Sequence, residues 1–215
     1  MKQMTIQRRI TRNHGKRAKI GSHGFKVYKG TTVYVGKETP IKSGVSEELV
    51  STLQDLWNNN PSTKKMRKFI KYISIKRSVQ NGGTAGRWDC EKQMVEIIQH
   101  KDEVSWYIGT FYHEVEGHAF WDFARLWRRE ELVKFNELAN SLPPVNSYIK
   151  DNEHKWKIWN DDGDSDYEPH PSMTRYANEQ HSAITEIIRN VDRRETILFK
   201  EGVEELVKAW EALHY

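Results

Sequence analysis

The chain has 215 residues, 37% of them hydrophobic and 30% charged, with a formal net charge of +4 and a single cysteine. This length buries one good core, and eight Trp with nine Tyr set the composition apart from disordered chains. Cys90 alone excludes an intrachain disulfide and a Cys-based zinc cage, and no apolar run approaches the roughly 20 residues of a membrane-spanning helix.

Met1-Lys2-Gln3-Met4-Thr5-Ile6-Gln7-Arg8-Arg9 lacks the apolar stretch of a signal peptide, so a cytoplasmic location without membrane contact is expected. Residues 1–77 hold 18 Lys/Arg against 4 Asp/Glu, whereas residues 78–215 hold 16 against 26. The basic half opens with Arg8, Arg9, Arg12, Lys16, Arg17 and Lys19. A second cluster follows at Lys64, Lys65, Arg67, Lys68 and Lys71. Such blocks suit nucleic acid, an anionic surface or an acidic partner; they also suit solvated tails and helix faces, and no base-reading motif accompanies them.

In chain order, residues 1–24 read as a basic mobile arm broken by Gly15, Gly21 and Gly24. The alternating segments at 25–28 and 32–35 around Gly30 read as a short hairpin. The first 44 residues therefore form a basic arm with a hairpin, and residues 45–215 form the main domain. Ser46 caps a predicted helix over residues 47–57 with Leu49, Leu53, Leu56 and Trp57 on one face, and Asn60-Pro61 ends it. Strands are predicted over 69–76, around 86–88 and over 94–98, which makes a small sheet.

A long helix is predicted over residues 104–140, with most of its aromatic residues in the core. Pro143-Pro144 breaks it. The acidic segment at Asp162, Asp164, Asp166 and Glu168 reads as a solvated loop or a calcium ligand set, without the glycine and distal glutamate of an EF-hand. His170 between two prolines reads as a loop residue, and Cys90 as a small half-buried residue. A helix from Ser172 or Thr174 to about residue 195 and another over 203–213 complete the pattern.

The long helix carries His113-Glu114-Val115-Glu116-Gly117-His118. Two imidazoles flanking a glutamate make up most of a hydrolytic zinc site, but the peptidase spacing H-E-x-x-H is exceeded by one residue. On a regular helix, histidines at i and i+5 diverge by about 140°. A π-bulge absorbs one extra residue, and Gly117 offers it little steric resistance. Glu116 is expected on the bulge and exposed. Catalytic zinc takes three protein ligands plus an open position, and Glu179, within Asn178-Glu179-Gln180-His181-Ser182 on a later helix, supplies the third.

These two motifs resemble those of the gluzincin class of zinc metallopeptidases. The H-E-x-x-G-H form is similar to that of the dipeptidyl peptidase III family, and Asn178 to Ser182 is similar to the N-E-x-x-S-D element of thermolysin-like enzymes. The resemblance implies an α+β, zincin-like fold: a small mixed sheet, a long metal-binding helix and further C-terminal helices. It implies Zn2+ held by His113, His118 and Glu179, with Glu114 as general base and Tyr176, His181 or His214 as the oxyanion donor. It also implies a peptide or protein substrate and residues 94–98 as the edge strand that pairs with it. Ala183 replaces the aspartate of the second motif, which leaves Glu186 or Asp122 to orient a ligand. A binding module without catalysis, its basic arm on nucleic acid or a large assembly, is the alternative.

Overall fold

Valine, isoleucine and aromatic residues concentrated between residues 69 and 99 build the sheet that organises the first half of the chain. The structure, a computed structural model, describes residues 24–26, 32–37, 45–78, 83–157, 173–189 and 203–215. The basic arm before Gly24, the acidic segment at 161–168 and His170 lie outside the described residues. Residues 1–119 and 120–215 form two compact units, and the architecture is mixed α+β.

In the first unit the strands are β1 (Gly24–Lys26), β2 (Thr32–Lys37), β3 (Tyr72–Arg77), β4 (Gly86–Asp89) and β5 (Met94–Gln99), in the spatial order β1-β2-β3-β5-β4. The central pairs β2/β3 and β3/β5 are parallel and the outer pairs β1/β2 and β4/β5 antiparallel. The expected hairpin therefore exists, and its second strand continues into the sheet.

β5 is an inner strand, not the expected edge. Its turn explains why: Asp89 Oδ1 accepts from Lys92 N at 3.0 Å and Gln93 adopts φ +50°, closing a hairpin that puts β4 outside β5. Five of the six β5 residues are buried, as a strand covered on both faces requires. Phe69 and Ile70 precede β3 and follow two short 3-10 turns, Pro61–Lys64 and Met66–Lys68, so the strand begins at Tyr72 and not at residue 69.

Helix α1 (Glu47–Asn59) begins as its cap predicts, with Ser46 Oγ accepting from Leu49 N at 3.3 Å. Leu49, Leu53 and Trp57 are buried, and Trp57 meets Phe111 of α2 (Val104–Tyr112) edge to face at 6.5 Å. α2 packs on β5 as well. Ile73, Ile75, Val95 and Ile97 line the face that looks toward it, and the opposite face carries Lys76, Arg87 and Glu96.

The predicted 104–140 helix is interrupted. α2 runs into a π-helical segment, His113–His118, and then α3 (Ala119–Trp127); Arg128, at φ −134° and ψ 42°, leaves helical geometry before α4 (Arg129–Ser141). α5 (Ser147–Trp156) was not anticipated from the sequence, although Asn146 caps it by accepting from Ile149 N at 2.9 Å. α6 (Arg175–Arg189) and α7 (Val203–His214) follow. In the second unit α6 packs against α4 and α5, and Gln180 ties it to the proline turn by accepting from Val145 N and donating to Pro143 O.

Candidate metal centre

The π segment brings the two histidines together. Ala119 N–H donates to Glu114 O, five residues back rather than four, so the turn is one residue longer and i, i+5 side chains share a face. His113 Nε2 and His118 Nε2 stand 3.1 Å apart with the rings at 76° to each other. Two nitrogens bound to one tetrahedral zinc at about 2.0–2.1 Å would be separated by about 3.3–3.4 Å. The pair therefore fits a shared metal ion. The ligand atoms of His113, Glu114 and His118 all lie within 4.8 Å of one another, with both imidazoles half-buried and the carboxylate buried.

Glu114 is placed by the sheet as well as by the helix. Gly86, the first residue of β4, lies so near that a Cβ built on it would stand 2.7 Å from Thr110 Cγ2 and 2.8 Å from Glu114 Cγ. The carboxylate side chain thus rests against the backbone of the sheet's outermost strand. Sequence reasoning placed Gly86 in a strand without assigning it a role; a glycine inside a strand is the signal that another group approaches closely.

Glu116 corrects an expectation, because it is 1% exposed. It accepts a hydrogen bond from Ser62 Oγ, in the 3-10 turn at Pro61–Lys64. Ser62 N in turn donates to Asn60 Oδ1, and Asn60 Nδ2 donates to Tyr112 OH. The residue that the bulge displaces is anchored inward by polar partners from the end of α1. Only the fold brings these together, since Ser62 and Glu116 are 54 positions apart.

The other expected residues belong to the second unit. Glu179 sits on α6, buried, with Oε1 3.5 Å from Arg175 Nε. Ala183 is buried beside it on the same helix, and Asp122 pairs with Arg125 at 3.4 Å. His181 and His214 face each other, Nε2 to Nε2 at 3.0 Å, within a stack of Phe120 and Trp210. Tyr176, the expected oxyanion donor, is fully buried instead. Its hydroxyl gives its proton to Leu142 O at 3.0 Å and accepts from Gln180 Nε2, and burial pushes its pKa upward. That hydroxyl is a strut of the second unit.

No described helix is long and apolar enough to cross a membrane. Comparison of the chain with family models, with curated proteins and with solved structures finds no match.

Proposed function

We propose that the protein is a zinc-dependent metallopeptidase, on the strength of one observation: a π segment that converges His113 and His118 and sets a buried Glu114 beside them. A histidine pair at 3.1 Å suits zinc. His113 and His118 hold the metal, and the sequence motif at Asn178–Ser182 nominates Glu179 as the third ligand that a hydrolytic site uses. When bound, zinc supplies Lewis acidity and lowers the pKa of its water from about 16 to about 7.

Glu114 then does the proton work. Its carboxylate takes the proton of the attacking water and hands it to the leaving nitrogen, a role that requires a fixed position more than an unusual pKa. Contact with the Gly86 backbone supplies that position. The outer side of β4 is the edge on which an extended peptide adds as a further strand, with backbone hydrogen bonds for affinity and the carboxylate alongside.

The test combines elemental analysis with turnover on a peptide library. Glu114→Gln keeps about one zinc per chain and loses roughly 100- to 10,000-fold in rate, the usual contribution of a general base. His118→Ala and Glu179→Ala lose the zinc. Full turnover in Glu114→Gln removes Glu114 as the base. Zinc binding without turnover on any peptide in the wild type leaves a metal-binding module in place of an enzyme.

A further inference from the structure

We infer that Trp88 sets the specificity of the site: the peptide that adds to the outer side of β4 carries a large apolar residue opposite the indole, two positions from the residue that lies beside Glu114. The word substrate for that peptide rests on the peptidase reading above, whereas its binding does not.

The backbone defines where such a peptide bonds. β4 and β5 run antiparallel, and Ile98 N donates to Ala85 O at 2.7 Å. In an antiparallel ladder, pairs that exchange hydrogen bonds alternate with pairs whose N–H and C=O groups point outward. Starting from Ala85 and Ile98, the next bonded pairs are Arg87 with Glu96 and Asp89 with Met94. Gly86, opposite Ile97, and Trp88, opposite Val95, therefore turn their backbone groups away from β5. No strand among the described residues lies outside β4. Gly86 and Trp88 are thus the two points at which β4 bonds an incoming chain, and an antiparallel chain, the more stable pairing, exchanges both hydrogen bonds with each.

The same alternation sorts the side chains. Gly86 and Trp88 are two residues apart and share the face of Val95 and Ile97, which looks toward α2. Glu114 rests against Gly86, so the peptide residue bonded to Gly86 lies beside that carboxylate. The residue bonded to Trp88 follows roughly 6.8 Å along the chain, and its side chain stands next to the indole as a cross-strand pair. Trp88 is half-buried, with buried Phe69 packed on it at 5.6 Å between ring centroids and 31° between planes. That contact fixes the indole and leaves part of its apolar surface for a neighbour, which aromatic and branched aliphatic side chains fill best. The intervening peptide residue turns to the opposite face, where Arg87 and Glu96 form an ion pair, and a polar side chain suits it.

Fluorescence anisotropy on the full chain tests this with labelled Ser/Thr peptides about eight residues long that differ only in a central Leu or Ser. The Leu peptide should bind the wild type about tenfold more tightly, as expected for burying most of one such side chain. Trp88→Phe should keep that preference, and Trp88→Thr, which retains a strand-forming residue, should lose it. N-methylation of the central Leu removes the N–H that Trp88 O accepts and should weaken binding about tenfold, whereas N-methylation of either neighbour, whose N–H points away, should leave it unchanged. The N-methyl series uses the wild type alone, so it decides the matter even where Trp88→Thr fails to fold. The inference is overturned if the wild type binds neither peptide or both equally, if folded Trp88→Thr keeps the preference, or if N-methylation of the neighbours costs as much as that of Leu. A wild type that binds with the expected pattern but cleaves none of the peptides keeps the Trp88 subsite and loses only the peptidase reading.

Discussion

At the scale of single residues, Gly86 decides where Glu114 can sit. A methyl group at position 86 would overlap Thr110 Cγ2 and Glu114 Cγ, and the β-branched Thr110 has few rotamers to escape into. Gly86→Ala should therefore displace the carboxylate while leaving the imidazoles paired. The expected result is retained zinc with hydrolysis reduced about 100-fold, the cost of misplacing a reacting group by about 1 Å. Elemental analysis and kcat on the same preparation check it; loss of zinc in step with activity would show that Gly86 supports the metal rather than the base. His113, Glu114 and His118 were legible in the sequence because they share six consecutive residues, which any local reading sees. Gly86 and Ser62 were not, since their roles come from contacts across 28 and 54 positions. The burial of Glu116 escaped for the same reason: a bulge exposes its extra residue only if nothing nearby offers it a hydrogen bond.

At the scale of elements, the π segment is held from outside as well as by its own backbone. Ser62→Ala removes a donor from a buried carboxylate, which should destabilise the protein by about 1–3 kcal/mol in urea unfolding. It should also weaken zinc affinity in a chelator competition, because the turn that converges the histidines loses its outer tether. An unchanged zinc affinity alongside reduced stability would mean that the backbone alone maintains the bulge. Elements with a local signature were legible: α1 from its serine cap and apolar stripe, the hairpin from its alternation and turn glycine, and the bulge from the count between the histidines. The break at Arg128 has no proline or glycine to announce it. α5 lacks a strong apolar stripe, its buried residues being Ile149 and Trp156, so only the Asn146 cap marked it. The inner position of β5 was available in Met94-Val95-Glu96-Ile97-Ile98, nearly continuous in apolar residues, but Glu96 disguised a covered strand as a half-exposed one.

At the scale of the whole molecule, Glu96 makes stability depend on pH. It is 2% exposed on β5, bonded to Lys76 at 2.6 Å and paired with Arg87. Burial on its own raises its pKa, but the hydrogen bonds and charges of Lys76 and Arg87 together outweigh burial and hold the carboxyl below its ordinary 4.5. A folded-state pKa below the unfolded value stabilises the fold fully above that unfolded value, and the contribution disappears as pH falls through the folded one. Thermal unfolding followed from about pH 6 down to about pH 3 should show a steep acid loss that is flatter in Glu96→Gln. Equal slopes would assign the acid sensitivity to other carboxylates. The same cluster bears on what the sheet does in a crowded solution. An outermost strand with unpaired backbone groups attracts any passing strand, including that of another copy of the chain. β4 is only four residues long and presents Arg87 and Asp89, so two copies laid edge to edge would gain few hydrogen bonds and would have to bury both charges. Among the described residues no strand lies outside β4, and its brevity and charge keep that edge from turning the protein into a seed for its own polymer.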